Sequence, residues 1–251
     1  MRNLTIASIA ALSFGFAAFS SPPSLAEGAN KAEIEKIIKE YLLANPEILV
    51  EMQDALTAKR EKQEKITRDK AISDSGAAIF LASADAVIGN PKGDVTVVEF
   101  YDYNCGYCKR ALSDMDAMVK ADPNLRFVLK EYPILGEDSL KAHVVAQAFK
   151  NLMPEKYGEF HRTLLSGERA TEDSAIAVAV LLGANEAELR KGMTDPAISI
   201  LFDQNHQLAT ALNITGTPSY VIKDDVVFGA MGADVLSAKV ANVRKCQSTV
   251  C

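Results

Sequence analysis

Two cysteines separated by two residues are the part of the sequence best suited to chemistry. They stand in the segment Cys105-Gly106-Tyr107-Cys108, between an apolar run and a stretch whose apolar residues recur at three- and four-residue intervals. This order predicts a strand buried on both faces, Val95–Tyr101, followed by a helix that opens at the cysteines. Two cysteines on the first turn of a helix can approach closely enough to form a disulfide.

The position at the start of a helix gives the two thiols different roles. The first sulfur, that of Cys105, lies near the unpaired N–H groups and the positive end of the helix dipole. Such a setting lowers the pKa of a thiol from about 8.5. The thiolate is the nucleophile in disulfide exchange, and a thiol of low pKa is also the better leaving group. We therefore assign Cys105 as the attacking cysteine and Cys108 as the resolving cysteine.

Glu99 is a carboxylate inside an otherwise apolar strand, six residues before Cys105. Val97 and Tyr101 share its face of the strand. Burial of a charge is unfavourable, so the pKa of this carboxyl should be raised. A near-neutral carboxyl close to the dithiol could move protons to and from Cys108. The alternative is that Glu99 lies at a sheet edge in water.

A second apolar strand, residues 215–222, is headed by Thr217-Pro218 and lies far along the chain. Proline is tolerated at the first residue of a strand. A cis bond before Pro218 would bring backbone groups against the dithiol, but the sequence alone does not show whether the bond is cis.

These segments together resemble the thioredoxin superfamily, and the phrase VVEFYDYNCGYCKR resembles its secreted bacterial DsbA-like branch. The resemblance covers roughly residues 85–244. It implies an α/β, thioredoxin-like fold with a helical insertion. It also implies site roles for five residues: Cys105 as nucleophile, Cys108 as resolving partner, Glu99 as buried acid, and Thr217 and Pro218 as the cis-proline pair.

The composition and the first residues of the chain predict an exported protein. The 251 residues are 48% hydrophobic and 24% charged, which suits one soluble core plus an appendage. An apolar run followed by Ser24-Leu25-Ala26 predicts a signal peptide, residues 1–26, cleaved after Ala26, with an uncleaved anchor as the alternative. Cleavage changes the net charge from −6 to −7, so nothing suggests nucleic-acid or anionic-membrane binding. We expect a periplasmic location.

Residues 27–72 have a different character and are predicted to form a helical arm and linker. Two helices interrupted at Asn45-Pro46 carry short apolar stripes, and Asn45 is predicted to cap the second of them. Mostly charged residues, 59–70, follow. The stripes need a partner, either the main domain or another chain. We favour a homo-oligomer, a dimer or trimer. DsbA-like proteins of the ScsC group have similar extensions that they use for self-association, which supports this interpretation by resemblance.

The remaining chain, residues 73–251, is predicted to be the thioredoxin-like domain. Residues 73–93 are expected to lead into it, with a short edge strand near Val87. A strand at 125–132 should follow the active-site helix, and a last strand at 226–228 should precede a closing helix at 234–245. Between them, five helices are predicted at 139–151, 155–166, 173–182, 185–193 and 196–212. By resemblance, an insertion at about 138–195 lies over the active site.

The other two cysteines, Cys246 and Cys251, are expected to form a structural disulfide in the tail. A second redox relay is one alternative, and a zinc site shared with the CxxC pair is another. The three histidines, His143, His161 and His206, show no metal-ligand spacing and are interpreted as surface or satisfied core residues.

The predicted function is thiol–disulfide exchange on exported proteins, with the Cys105–Cys108 disulfide as the redox centre and no metal or organic cofactor. Gly106-Tyr107 and Thr217 resemble bacterial disulfide isomerases, whereas the segment 94–110 resembles DsbA-like oxidases. An oligomeric arm would favour isomerase work because it presents several sites to one client. We favour isomerase or reductase activity. A DsbA-like dithiol oxidase, or a thiol-based copper-binding or chaperone module, is the alternative. Exported clients and a membrane redox partner are the expected partners.

Overall fold

The computed structural model describes residues 30–81 and 84–251. The predicted signal peptide lies outside them. The chain divides into two compact units, residues 1–56 and 57–251. In chain order the elements are α1 Lys31–Ala44, α2 Ile48–Phe80, β1 Ala86–Gly89, β2 Val95–Tyr101, α3 Gly106–Ala121, β3 Leu125–Glu131, α4 Glu137–Leu152, α5 Tyr157–Ser166, α6 Glu172–Leu181, α7 Glu186–Gly192, α8 Pro196–Ala211, β4 Ser219–Ile222, β5 Asp225–Phe228 and α9 Ala233–Cys246.

The first unit contains α1 and the start of α2. Asn30 caps α1, because its side chain accepts a hydrogen bond of 3.0 Å from the backbone N–H of Glu33. Asn45 was predicted to cap the second helix, and this is wrong: its backbone and side-chain N–H groups both donate to the Tyr41 carbonyl at the end of α1. No residue of α1 is buried, and its apolar stripe is exposed, from Ile34 to Leu42.

Within the second unit, α2 passes from an exposed charged stretch into the core. Residues 57–67 are all exposed, whereas Ile72 and Ile79 are buried against Val98 and Phe100 of β2. The sequence predicted only a lead-in here, because the small residues of 73–78 conceal the helical pattern. Across residues 30–81 and 84–251, no helix is both long enough and apolar enough to cross a membrane.

The five strands of the described chain form one sheet in the order β1-β3-β2-β4-β5. β2 and β3 are parallel, as expected for strands joined through α3, and the other pairs are antiparallel. The short edge strand predicted near Val87 is β1. β2 lies at the centre, so its apolar residues are buried on both faces.

Alternate residues of β2 face two different clusters of apolar side chains. Val97 and Tyr101 face the cluster that contains α3, α9 and the inserted helices, together with Cys108. Val98 and Phe100 face the cluster that contains the end of α2 and the end of α8. The alternation therefore places the side chain of the intervening Glu99 on the same face as the cysteines.

The helices between β3 and β4 form the inserted block, α4 to α7, followed by α8. All five predicted helices are present, with boundaries within two residues of those predicted and a short 3-10 turn, Pro154–Lys156, ahead of α5. α4 and α5 pack through Phe149 and Phe160, whose ring centroids are 4.6 Å apart. The predicted α/β, thioredoxin-like fold with a helical insertion is confirmed.

The tail after α9 is fixed to the domain in two ways. Cys246 and Cys251 form a disulfide. Independently, the Asp224 carboxylate accepts hydrogen bonds from the Ser248 hydroxyl at 2.7 Å and from the Thr249 backbone N–H at 3.0 Å.

Candidate active site

The two cysteines of the CxxC pair lie where the central strand passes into α3. A loop of three residues, 102–104, joins β2 to Cys105, and we call it the active-site loop. Cys105 is the N-terminal cap residue of α3, and its backbone N–H donates to the Asp102 carbonyl at 3.0 Å. Cys105 is 7% exposed and Cys108 is fully buried, and both are free thiols. An approaching disulfide can therefore reach Cys105 first.

The active-site loop is held by the buried carboxylate of Asp102. One oxygen accepts hydrogen bonds from the Asn104 backbone N–H and from the Ser139 hydroxyl, both at 2.8 Å. The other accepts from the backbone N–H groups of Ile134 and Leu135, at 2.9 and 3.0 Å. Four donors satisfy a buried carboxylate well. The sequence analysis missed this role, although an Asp and an Asn just before a helix are a signal for such a turn.

The surroundings of Cys105 favour its thiolate. The pKa of the Cys105 thiol is lowered to about 5, and a hydrogen bond from Cys108 is the largest cause. The Thr217 side chain and the backbone N–H groups of residues 107 and 108 lower it further, whereas burial acts in the opposite direction. The Cys105 thiol, when protonated, donates a hydrogen bond of 3.0 Å to the Thr217 carbonyl oxygen, a contact that favours the thiol and acts against this lowering of its pKa. At neutral pH the attacking group is therefore already ionised.

Cys108 is held in the opposite state. Burial, followed by its hydrogen bond to Cys105 and the nearby Glu99 carboxyl, raises the pKa of the Cys108 thiol far above its ordinary value. This cysteine must lose a proton to act as a nucleophile, so its environment requires a proton acceptor.

Glu99 supplies a candidate acceptor. It is 3% exposed, and burial raises the pKa of its carboxyl to about 8. A hydrogen bond with Tyr220 on the neighbouring strand partly offsets that rise. Glu99 is therefore buried on the central strand, as predicted, and does not lie at a solvent-exposed sheet edge.

Thr217 and Pro218 lie beside Cys105, and the peptide bond between them is cis. They line an open groove of about 360 Å³ whose other lining residues include Tyr107, Phe228 and Ala230. Tyr107 is 59% exposed, and the Arg110 guanidinium lies 4.2 Å from the centre of its ring. An extended client segment placed in this groove would pass next to the reactive sulfur.

A buried polar cluster behind the active-site loop was missed by the sequence analysis. The Glu131 carboxylate bonds His143 and accepts a hydrogen bond of 2.7 Å from the Tyr157 hydroxyl. His143 in turn accepts from the backbone N–H of Tyr103, two residues before Cys105. These residues come from β3, α4, α5 and the active-site loop, so no local pattern indicates that they meet.

The other predicted site residues lie elsewhere. Cys246 and Cys251 are bonded to each other. His143 and His161 are buried with partners, and burial lowers the pKa of His161 to about 3, while His206 is exposed. Among the described residues, no group of three or more histidine, cysteine or acidic side chains is arranged to hold a metal ion.

The sequence of this chain also matches models of known protein families. A family model described as the DSBA-like thioredoxin domain matches residues 96–241, more than half of the chain. The chain belongs to the DsbA-like family. A second model, the copper resistance protein ScsC N-terminal domain, matches residues 30–63 of this DsbA-like protein.

Individual relatives agree with that assignment. Disulfide bond formation protein D of Bacillus subtilis is 24% identical over 56% of this chain and 68% of its own length. A thioredoxin-like oxidoreductase from Silicibacter pomeroyi is 38% identical, covers 68% of this chain and 98% of its own, and has a TM-score of 0.65. ScsC of Proteus mirabilis, in a transitional conformation, is 27% identical with a TM-score of 0.63 and covers 84% of this chain and 95% of its own. This DsbA-like protein is a thiol:disulfide oxidoreductase with an ScsC-like N-terminal extension.

Proposed function

We propose that this DsbA-like protein acts mainly as a disulfide isomerase or reductase on exported proteins, using Cys105 and Cys108 and no metal or organic cofactor. The observation that carries thiol–disulfide exchange, the chemistry common to these activities, is the asymmetry of the pair. Cys105 is at the surface end with a lowered pKa, and Cys108 is buried with a raised one. One sulfur is ready to attack, and the other is held back until a mixed disulfide exists.

The reaction begins with attack of the Cys105 thiolate on a client disulfide. A new S–S bond forms between Cys105 and one client sulfur, the client S–S bond breaks, and the second client sulfur leaves as a thiolate. In isomerisation, another client thiolate attacks the bonded client sulfur and releases the Cys105 thiolate. The client disulfides are rearranged, and the protein ends in its starting redox state.

Reduction differs in the second step. Cys108 gives its proton to the Glu99 carboxylate and attacks Cys105, and the client sulfur leaves with the bonding electrons. The client disulfide is then reduced, and the Cys105–Cys108 pair is oxidised. A carboxyl whose pKa is about 8 can both accept this proton and return it near neutral pH.

A dithiol oxidase is the second candidate, and the low pKa of Cys105 favours it. A stabilised thiolate stabilises the reduced pair, which makes the disulfide form a stronger oxidant. In that direction a client thiolate attacks Cys105 and forms a mixed disulfide, and Cys108 leaves and takes the proton from Glu99. A second client thiolate then attacks the bonded client sulfur, which forms the client disulfide and releases the Cys105 thiolate.

The first unit supports isomerase work through self-association. Its helices α1 and the start of α2 expose large apolar side chains, among them Leu43 at 73% and Leu49 at 74% exposure. Surfaces of this kind are typical of interfaces between chains. We propose that these helices pair in a dimer or trimer, which presents several Cys105 sites to one client and raises their effective concentration.

The expected location is the periplasm, with exported proteins as clients and a membrane protein as redox partner. Three features support it: membership of the DsbA-like family, the apolar leader at residues 1–26, and a tail disulfide of the kind that persists in oxidising compartments.

The test is recovery of activity from a test protein with scrambled disulfides, using the reduced full-length mature protein. We expect strong recovery by the wild type and weaker recovery by a double variant, Ile38→Asp with Leu49→Asp, whose mass in solution should fall to that of a monomer. Lys59→Glu, a change in the exposed charged stretch of α2, is the matched control and should keep both properties.

Two results would contradict the isomerase proposal. Absence of recovery, together with fast oxidation of a reduced client by the disulfide form, would establish the oxidase. Failure of Cys108→Ser to trap any client, together with tight binding of Cu(I) by the wild type, would favour a metal-binding module.

A further inference from the structure

Glu99 and Tyr220 are paired across two neighbouring strands. In the antiparallel register of β2 and β4, Glu99 lies directly opposite Tyr220. Directly opposed residues project from the same face of a sheet with their Cβ atoms about 5 Å apart. Both residues are buried, at 3% and 2% exposure, and their shared face is the one that packs against α3. The phenol and the carboxyl are thus enclosed together next to Cys108.

The other groups around Glu99 disfavour its ionised form. On β3 it pairs with the apolar Leu129. From the side of α3, the Cys105 thiolate and the Asp114 carboxylate both raise the pKa of Glu99, in addition to burial. The hydrogen bond with Tyr220 acts in the opposite direction and lowers that pKa. A phenol in this position can donate its proton to a carboxylate oxygen, and such a bond stabilises the charge.

We propose that Tyr220 is a positioning residue, whose hydroxyl donates to the Glu99 carboxylate, orients it toward Cys108 and stabilises the ionised form that takes the proton of Cys108. This inference rests on the proposed role of Glu99 in the resolving step. The step is the one given above: Cys108 gives its proton to Glu99, its sulfur bonds to Cys105, and the client thiolate leaves. Tyr220 keeps its own proton throughout, because burial and the neighbouring acids raise its pKa.

The test separates attack from resolution in a single turnover of the reduced full-length protein with a disulfide peptide. Samples are quenched with acid, and the mixed disulfide is followed by mass spectrometry from pH 5 to pH 10. In Tyr220→Phe the rate of resolution should reach half its maximum about one pH unit higher than in the wild type, the size expected for one hydrogen bond to a charged group. The attack step, which uses Cys105, should keep its pH midpoint.

A double variant distinguishes positioning from packing. The double variant, Glu99→Gln with Tyr220→Phe, should have the same pH profile of resolution as Glu99→Gln alone, because the phenol acts through the Glu99 carboxyl. Tyr132→Phe is the matched control. This hydroxyl donates to the Ile214 carbonyl, its ring packs in the other core cluster, and its loss should not move the profile.

Measurement on the wild type avoids any folding defect of the variants. The ¹³C resonance of the Tyr220 carbon that bears the hydroxyl should titrate with the same midpoint as the Glu99 carboxyl carbon. A Tyr220 signal that does not respond to that titration would overturn the inference, and so would additive effects in the double variant. If Glu99→Gln leaves resolution unchanged, the proposed role of Glu99 fails as well. If Glu99→Gln slows resolution and Tyr220→Phe does not, only this inference fails.

Discussion

The two cysteine pairs of this protein have the same covalent chemistry and opposite surroundings. Cys105 and Cys108 are free thiols at the start of α3, with their pKa values moved in opposite directions by hydrogen bonds and burial. Cys246 and Cys251 form a disulfide between exposed residues at the end of α9 and in the tail. The contrast shows that the elements around a cysteine pair set the burial and the protonation of its sulfurs.

The largest expected difference between the pairs is in exchange activity. Cys105→Ser should slow disulfide exchange by at least about a thousandfold, because a hydroxyl cannot replace the thiolate nucleophile. The double change of Cys246 and Cys251 to Ser should leave the rate within about twofold of the wild type, since those sulfurs take no part in the exchange step. The measurement is the rate of reduction of a disulfide peptide. A large loss of rate in the tail variant would show that the tail pair belongs to a redox relay.

A second difference is that the buried carboxyl of Glu99, next to the active-site pair, makes the free energy of unfolding depend on pH. The carboxyl of Glu99 has a pKa of about 8 in the folded protein, against an ordinary value of 4.5. Between these values the folded state retains a proton that the unfolded state has lost, so stability falls as pH rises through this window.

Glu99→Gln removes that penalty. Relative to the wild type, the variant should gain on the order of 4 kcal/mol between pH 4.5 and pH 8. Urea unfolding of the reduced proteins measures this difference. Glu155→Gln, at an exposed position, is the control and should show no such trend. Parallel pH curves for wild type and Glu99→Gln would mean that Glu99 does not titrate near neutral pH.

The tail pair should matter for stability alone, and only modestly. The disulfide closes a short loop, five residues apart in sequence, so its removal should lower the free energy of unfolding by about 2 kcal/mol or less. The contacts of Asp224 with Ser248 and Thr249 should continue to hold the tail. Thermal unfolding of the double serine variant checks this. A loss well above 2 kcal/mol would show that the polar contacts do not hold the tail by themselves.

The smallest effect concerns coupling within the reactive pair. Cys108→Ala removes the hydrogen bond that most lowers the pKa of Cys105, which should raise that pKa by about one unit. Cys108→Ser retains a donor and should raise it less. The titration of Cys105 by the ultraviolet absorbance of its thiolate measures both variants. Equal values for the two would mean that the Thr217 side chain and the backbone N–H groups account for the lowered pKa.

Much of this arrangement could be predicted from local patterns. A near-continuous apolar run predicts β2, a helical pattern predicts α3, and the acid within that apolar run indicates Glu99, because each signal lies within one short segment. The end of α2 was missed because Ile72 and Ile79 are separated by small residues that show no amphipathic stripe. Asn45 was assigned to the wrong helix because it lies at the end of α1 and also directly before Pro46, so the sequence fits a cap of either helix.

Contacts between distant segments could not be predicted. Tyr220 contacts Glu99 because the two residues are paired in the register of β2 and β4. They are 121 positions apart in the sequence, so no local pattern predicts this pairing. The bond between His143 and the backbone of Tyr103 likewise depends on where the inserted helices pack. Lys130 is fully buried on a strand and forms an ion pair with Asp85, whose pKa burial raises to about 6. A charged residue on a buried strand gives no sign of its partner.

The central claim is that the two active-site thiols are held in opposite protonation states, and titration of the reduced protein tests it most directly. Cys105 and Cys108 would be labelled with ¹³C at their Cβ atoms, and their signals followed by NMR from pH 3 to pH 11. The account predicts a midpoint at about 5 for Cys105 and no titration of Cys108 in this range. Similar midpoints for the two thiols, near the ordinary value of about 8.5, would contradict it.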